Sequence, residues 1–362
     1  MLKISDGKLG VREFTALIIL TLCFKGTDTT PDLLIHVGGN AFWMLPVFFA
    51  FFILVPLLLL LPLMKKHNQG LVELIFGLAG NKIGVFLCFL FFLASFSSTT
   101  LNSRSYIDII NTMYYPITPL AFQFFIFLLV CYFIARRGFE TIGRGASIMV
   151  WYLLVSGVIL IFVVWKNVDW LKLFPLAGPG VKQLVWHGAS YSSIFAEMVV
   201  FAAFFPFIRS YRDYRKASFI GLGFSMVWVV IQCALYAMVF DFPAVEYLNY
   251  PYHQLTRVAS VGGIISHLES IFLGFWVILS TLHFSALLYL TTYLFSQVLR
   301  LKDFEGLLLP MTGLVLFIGL IPDNIITLSQ TRKILIHASS ILILTVPFLL
   351  WLLDRWKGSS KQ

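Results

Sequence analysis

No P-loop, G-x-S-x-G, H-E-x-x-H or paired C-x-x-C pattern occurs in this sequence, and no polar stretch is long enough to form a soluble catalytic domain. Those absences argue against an enzyme, a resident cofactor or metal, and ATP-driven transport by this chain alone. Cysteine is scarce. Cys23, Cys88, Cys131 and Cys233 all fall inside apolar segments, where they read as small buried hydrophobes rather than a disulfide or metal framework. Charge is scarce too, at 12% of residues, and the formal excess of +9 is not gathered into a basic, aromatic-interleaved module, so nucleic-acid binding is excluded. A cleavable signal peptide is not expected: Met1 to Arg12 is a short polar, basic lead-in with no small-residue cleavage site.

What the chain has in abundance is apolar length. Hydrophobic residues make up 59% of it and the mean hydropathy is +0.89. About ten runs approach or exceed the ~20 residues needed to cross a bilayer. They are 13–36, 41–64, 83–112, 117–135, 145–166, 187–208, 217–240, 266–299, 307–321 and 333–353. The sequence therefore reads as a single all-α polytopic membrane domain over 1–362. With a cytoplasmic N-terminus, most Lys and Arg fall in the even-numbered connections and the termini, including Lys65, Lys66, Arg136, Arg137, Arg209, Arg212 and Arg215. The opposite face gets only Arg104, Lys166, Lys172, Lys182, Arg257, Arg332 and Lys333. Positive charge places both termini inside and accounts for the basic balance through contact with anionic headgroups. The two longest outer connections, 167–186 and 241–265, mix Pro and Gly with aromatics, a composition suited to loops lying against the bundle.

The first run is interrupted by Lys25-Gly26-Thr27-Asp28-Thr29-Thr30-Pro31. Gly26 frees the backbone, Pro31 withholds an N–H, and Lys25 and Asp28 facing lipid would each cost a few kcal/mol, so the segment should face a cavity inside the bundle. Broken helices of this kind hold small solutes in transporters. Cutting after the fifth run gives two halves of odd helix number, 13–166 and 187–353, so the second half must be inverted relative to the first; 1–12 and 354–362 are a cytoplasmic lead-in and tail. The counterpart of run one is then run six, which carries Ala196-Glu197 in apolar surroundings. Two polar stripes at helical spacing turn toward the bundle centre: Ser95, Ser98, Asn102 and Tyr106 in run three, and Glu269, Trp276, Ser280 and His283, with Thr281 beside them, in run eight. The candidate ligand set is thus Lys25, Gly26, Thr27, Asp28, Thr30, Ser98, Asn102, Ala196, Glu197, Trp276 and Ser280. Glu269, Thr281 and His283 form a candidate ion or proton site.

Several motifs occur in order along the chain: Ile4-Ser5-x-x-x-Leu9, the break ending at Pro31, Gly138-Phe139-Glu140-x-x-Gly143-Arg144, Phe174-Pro175, Ala196-Glu197, Leu268-Glu269-Ser270-Ile271-Phe272-x-x-x-Trp276 and Ile321-Pro322-Asp323. Together they resemble the B subunit of the spore-germination (germinant) receptor, a membrane subunit within the amino acid–polyamine–organocation transporter superfamily. The resemblance implies a LeuT-like fold with a 5+5 inverted repeat and broken helices one and six. It further implies a spore inner membrane location and the sensing of small germinants such as amino acids with germinant-receptor A and C subunits. The chain departs from the family in having Phe24-Lys25-Gly26 where a glycine-rich turn is common, and His267 where an arginine is common. Lys25 can then supply positive charge in place of open backbone amides. The rival readings are a proton- or sodium-coupled amino acid permease, a ligand-silent scaffold, and an ion conduit of the receptor complex.

Overall fold

The computed structural model describes residues 7–259, 268–301 and 303–359; His267 and Lys302 lie outside them, as do residues 1–6 and 360–362. The described residues fold into helices joined by short turns. α1, Val11–Cys23, starts where Gly10 N–H donates to the Glu13 carboxylate at 3.0 Å. A short 3₁₀ turn, Phe24–Gly26, ends it, and α2, Thr30–Gly38, begins with Pro31 in its first turn and the Asp28 carboxylate accepting from Thr30 N–H at 2.6 Å. Gly39, at φ +51°, closes α2. There follow α3, Leu45–His67, α4, Leu71–Ala79, α5, Asn81–Met113, α6, Leu120–Ala135, and α7, Phe139–Val164.

Beyond the outer connection, α8, Val181–Ser190, runs into a 3₁₀ turn at Ser192–Phe195, a single helical turn α9, Glu197–Val200, and another 3₁₀ stretch to Phe207. α10, Tyr211–Val239, α11, Pro251–Val258, α12, Leu268–Leu299, α13, Leu308–Gly319, and α14, Ile325–Ser359, complete the described chain. Among the described residues, six helices are long and apolar enough to cross a membrane, with shorter apolar helices between them. Their outward faces expose Phe122, Phe133, Trp151 and Phe162, side chains that water would not tolerate in such number and lipid does.

α1 is enclosed on all sides: from Phe14 to Cys23 only Thr15 is not fully buried. It packs along α10 and α7. Close approach depends on small residues, since lipid offers no hydrophobic drive for helix association. A Cβ on Gly221 of α10 would lie 2.5 Å from Ile18 Cγ2 of α1. The segment before α1 is pinned to the end of the sixth run: Leu9 N–H donates to the Phe207 carbonyl at 2.9 Å, and Arg209 N–H donates to the Leu9 carbonyl at 3.0 Å.

Run by run the helices follow the apolar segments read from sequence, with two differences. α4 and α11 lie in connections where no helix was expected, whereas the break in the sixth run, at Tyr191–Ala196, falls beside Glu197, the counterpart of the first break. The last helix begins at Ile325 rather than near 333, because the Asn324 side chain caps it by accepting from Thr327 N–H at 2.9 Å. Arg332 therefore belongs to a helix and not to an outer connection.

Gly221→Ala should lower the thermal unfolding temperature of the purified protein, the overpacking amounting to about 1–3 kcal/mol. Gly223→Ala, two residues along α10 where a Cβ meets nothing within 4 Å, should not. Equal effects in the two variants would remove the close α1–α10 contact as a determinant of stability.

Candidate functional site

The two helix breaks meet. Lys25, in the 3₁₀ turn after α1, and Glu197, at the start of α9, form an ion pair at 2.9 Å with side chains only 5% and 7% exposed. Either charge alone in this interior would be costly, and the pair holds because each break leaves its backbone free to bring one charged side chain to the centre. Glu197 Oε1 takes the lysine; Oε2 is buried and has no hydrogen-bond partner. The lysine reaches across to the other break rather than to Asp28, three residues on in its own turn.

The broken backbone is satisfied by side chains from neighbouring helices. Tyr236 of α10 donates to the Gly26 carbonyl at 2.6 Å. A Cβ there would lie 2.0 Å from Gln232 Oε1 and 3.2 Å from Gln232 Cβ, so any other residue would force the Gln232 side chain to move. Trp276 of α12 donates its indole N–H to Thr27 Oγ1 at 3.1 Å, and Thr27 donates in turn to the Phe24 carbonyl at 3.2 Å. Asp28 caps α2 and lies 3.7 Å from a guanidinium nitrogen of Arg332, which donates to Thr30 Oγ1 at 2.8 Å and also to Thr29. Two cations and two carboxylates are thus interleaved through the centre of the bundle.

A cavity of about 70 Å³ opens beside this array, bordered by Lys25, Ser98, Asn102, Ala196, Glu197 and Arg332 among others. It is far below the ~300–1,000 Å³ of pockets for drug-sized ligands, so as it stands it suits only a small solute. Asn102 donates to Ser98 Oγ at 3.0 Å on its wall. Ser95, higher on the same stripe, is spent on helix packing, hydrogen bonded to Thr291 of α12 at 2.7 Å.

Five of the candidate ligand residues therefore border the cavity, Lys25, Ser98, Asn102, Ala196 and Glu197, and so does Ser95 of the same polar stripe. Gly26, Thr27, Asp28 and Thr30 form the turn behind it. Trp276 is stacked on Tyr106 with ring centres 4.6 Å apart, and Ser280 donates to its own helix at the Val277 carbonyl. The residues proposed as an ion or proton site are spread along α12. Glu269 is partly exposed near its start and has interactions of its own, while Thr281 donates to the Ile278 carbonyl on the side facing α5 and α6. His283 is buried against Phe24 at 5.3 Å, roughly 21 Å along the helix from Glu269 at 1.5 Å rise per residue.

Sequence reasoning missed Arg332 and Ser193, whose N–H donates to Ser340 Oγ at 3.0 Å and so ties the second break to α14. The signal for Arg332 was present: Pro322 followed by Asn324 is a helix start, which moves the arginine about two turns inside the last helix. It also missed the outer helix α11. There His253 contacts Tyr114 at 3.0 Å and stands edge-on to Trp276 at 4.7 Å, linking the outer connection to Thr27. Burial, and then the Arg257 guanidinium nearby, pushes the His253 imidazole down to about 3, so it is neutral around pH 7.

Two broken segments crossing at a buried polar centre within a helical membrane bundle define a LeuT-like transporter fold. The solved structure of Mhp1, a nucleobase-cation-symport-1 family transporter in a closed conformation with bromovinylhydantoin bound, superposes with a TM-score of 0.62 at 14% identity, covering 94% of this chain and 78% of that one. The family model described as spore germination protein matches residues 8–327, and the chain belongs to that family. Spore germination protein KB of Bacillus subtilis (strain 168) is 22% identical over 249 residues, 67% of this chain and 66% of that relative, so the match spans just under two thirds of its length. Spore germination protein B2 of the same organism is 22% identical over 366 aligned residues, 97% of this chain and 96% of that protein.

Replacing one partner of the buried pair should destabilise strongly, by about 3–5 kcal/mol, because it strands the other charge. Lys25→Met and Glu197→Gln should each lower the unfolding temperature in detergent, and the double variant should be less damaged than the sum of the two. Additive losses would mean the two breaks are not held together through this contact.

Proposed function

We propose that this protein is the transporter-like membrane subunit of a spore germinant receptor and binds a small germinant, an amino acid, in the cavity between the two breaks. The observation that carries the reading is the arrangement of Lys25, Glu197 and Arg332 around a cavity sized for a small solute, with Glu197 Oε2 buried and unused. An α-amino acid offers the complementary pair: its carboxylate matches Lys25 and Arg332, and its ammonium matches the free carboxylate oxygen. Ser98 and Asn102 supply neutral hydrogen-bonding groups for a polar side chain. Binding would favour one arrangement of the broken helices over another, and germinant-receptor A and C subunits would read that change. The reading includes the spore inner membrane as location, with both termini on the core side.

A proton- or sodium-coupled amino acid permease is the second reading, favoured by the transporter fold of the solved neighbour. Both predict that some amino acids raise the unfolding temperature of the purified protein. They part on uptake: a receptor subunit binds without accumulating solute in proteoliposomes, and a permease accumulates it.

In spores, Glu197→Gln should move the germinant dose-response to higher concentration by about tenfold to a hundredfold, the loss of one charge-assisted bond of roughly 1.5–3 kcal/mol, with the maximal rate per folded receptor nearly intact even though destabilisation lowers receptor abundance. An unchanged half-saturating concentration at normal abundance would take Glu197 out of the site. For orientation, a cysteine at Gly178 in the outer connection should be labelled by an impermeant reagent in intact cells; labelling only after permeabilisation would reverse the assignment.

A further inference from the structure

Arg332 is a wall between two spaces. On one side is the central cavity; on the other is a larger one of about 310 Å³, bordered by Asp32 and His36 of α2, Asn249 before α11, and Ser329, Gln330 and Lys333 of α14. Nothing in the central-site reading uses this outer space, yet it is rich in donors. The Lys333 ammonium and the His36 imidazole have no hydrogen-bond or ion-pair partner among the described residues. Asn249 and Gln330 border the same space, and they, His36 and Ser329 are exposed, so the space is a vestibule reached from outside. Asp32 is the acid on this wall, and one of its oxygens already accepts from Tyr250 N–H at 3.1 Å. Arg332 is only partly neutralised, since its approach to Asp28, at 3.7 Å, is beyond hydrogen-bond length.

We infer that the outer cavity is a second solute site, one that holds a small carboxylate against Lys333, His36 and Arg332 before it reaches the central cavity. Donor groups with no internal partner, gathered around a space large enough for an amino acid, have an anion as their natural complement. The guanidinium of Arg332 serves both sides, so a carboxylate passing from one cavity to the other keeps one of its partners. The order of the two sites rests on the central cavity being the germinant site; the outer site's preference for carboxylate does not.

The test uses reagents of defined charge on the purified full-length chain in phosphatidylcholine nanodiscs. Ser329→Cys places a thiol in the outer cavity, and Val181→Cys places one at an exposed control position on the same side. The four native cysteines are buried and give the background rate. The rate of modification by anionic 2-sulfonatoethyl methanethiosulfonate relative to its cationic trimethylammonium analogue should be about tenfold higher at position 329 than at position 181. Adding Lys333→Gln and His36→Gln should bring the two ratios within about twofold of each other. Millimolar acetate should slow the anionic reaction at 329, and acetamide, its neutral isostere, should not. Equal ratios at 329 and 181, a ratio insensitive to Lys333 and His36, or equal effects of acetate and acetamide would overturn the proposal. If no amino acid shifts the unfolding temperature while the anion preference at 329 persists, the central-site reading fails and the outer site stands.

Discussion

One buried contact, Lys25 to Glu197, sets the terms for everything around it. Two chain segments that would otherwise be continuous membrane helices are each broken at the depth where that contact forms, and a break at that depth exposes backbone groups that lipid cannot satisfy. The surrounding helices answer with side chains placed for the purpose: Tyr236 on the Gly26 carbonyl, Trp276 on Thr27, Arg332 on Thr29 and Thr30, Ser340 on the Ser193 amide. The result is a polar centre whose parts come from the turns after α1 and before α9 and from α2, α9, α10, α12 and α14. Such a centre gives little net stability over an apolar core of the same shape, which points to function as the reason for its existence.

The same geometry restrains both ends of the broken pair. On the side of the N-terminus, Leu9 is stitched to Phe207 and Arg209, so the beginning of the first broken segment and the end of the second share hydrogen bonds. Toward the other side, Arg332 of α14 grips the start of α2 and separates the small central cavity from the larger outer one. α11 adds a third tie through His253 and Trp276 to Thr27. A solute that changes the spacing of the two breaks would be felt at all three places.

The helical architecture and the first half of the site were legible in the sequence because they rest on strong local signals: apolar runs of bilayer length, and charges with Gly and Pro inside one of them. Glu197 stood out for the same reason, an acid in an apolar run. What the sequence does not encode locally is who meets whom. Lys25 and Asp28 are three residues apart and invite a local pairing, but the turn sends them to Glu197 and Arg332 on other helices. Trp276, Ser280 and His283 share a helical face with the right period and yet pack against aromatics and their own backbone, because a polar stripe on a membrane helix serves packing as readily as binding. Arg332 was hidden by a helix boundary set from hydropathy, which starts where residues become apolar, whereas the backbone starts at the Asn324 cap.

The central claim, that solute binds between the two breaks and acts on both, is tested most directly by backbone hydrogen exchange with and without an amino acid that raises the unfolding temperature. The account predicts slowed exchange in residues 24–31 and 191–200 together, since both segments contact the same cavity and the same ion pair. An amino acid that stabilises the protein while leaving exchange in both segments unchanged, or that protects only one of them, would contradict it.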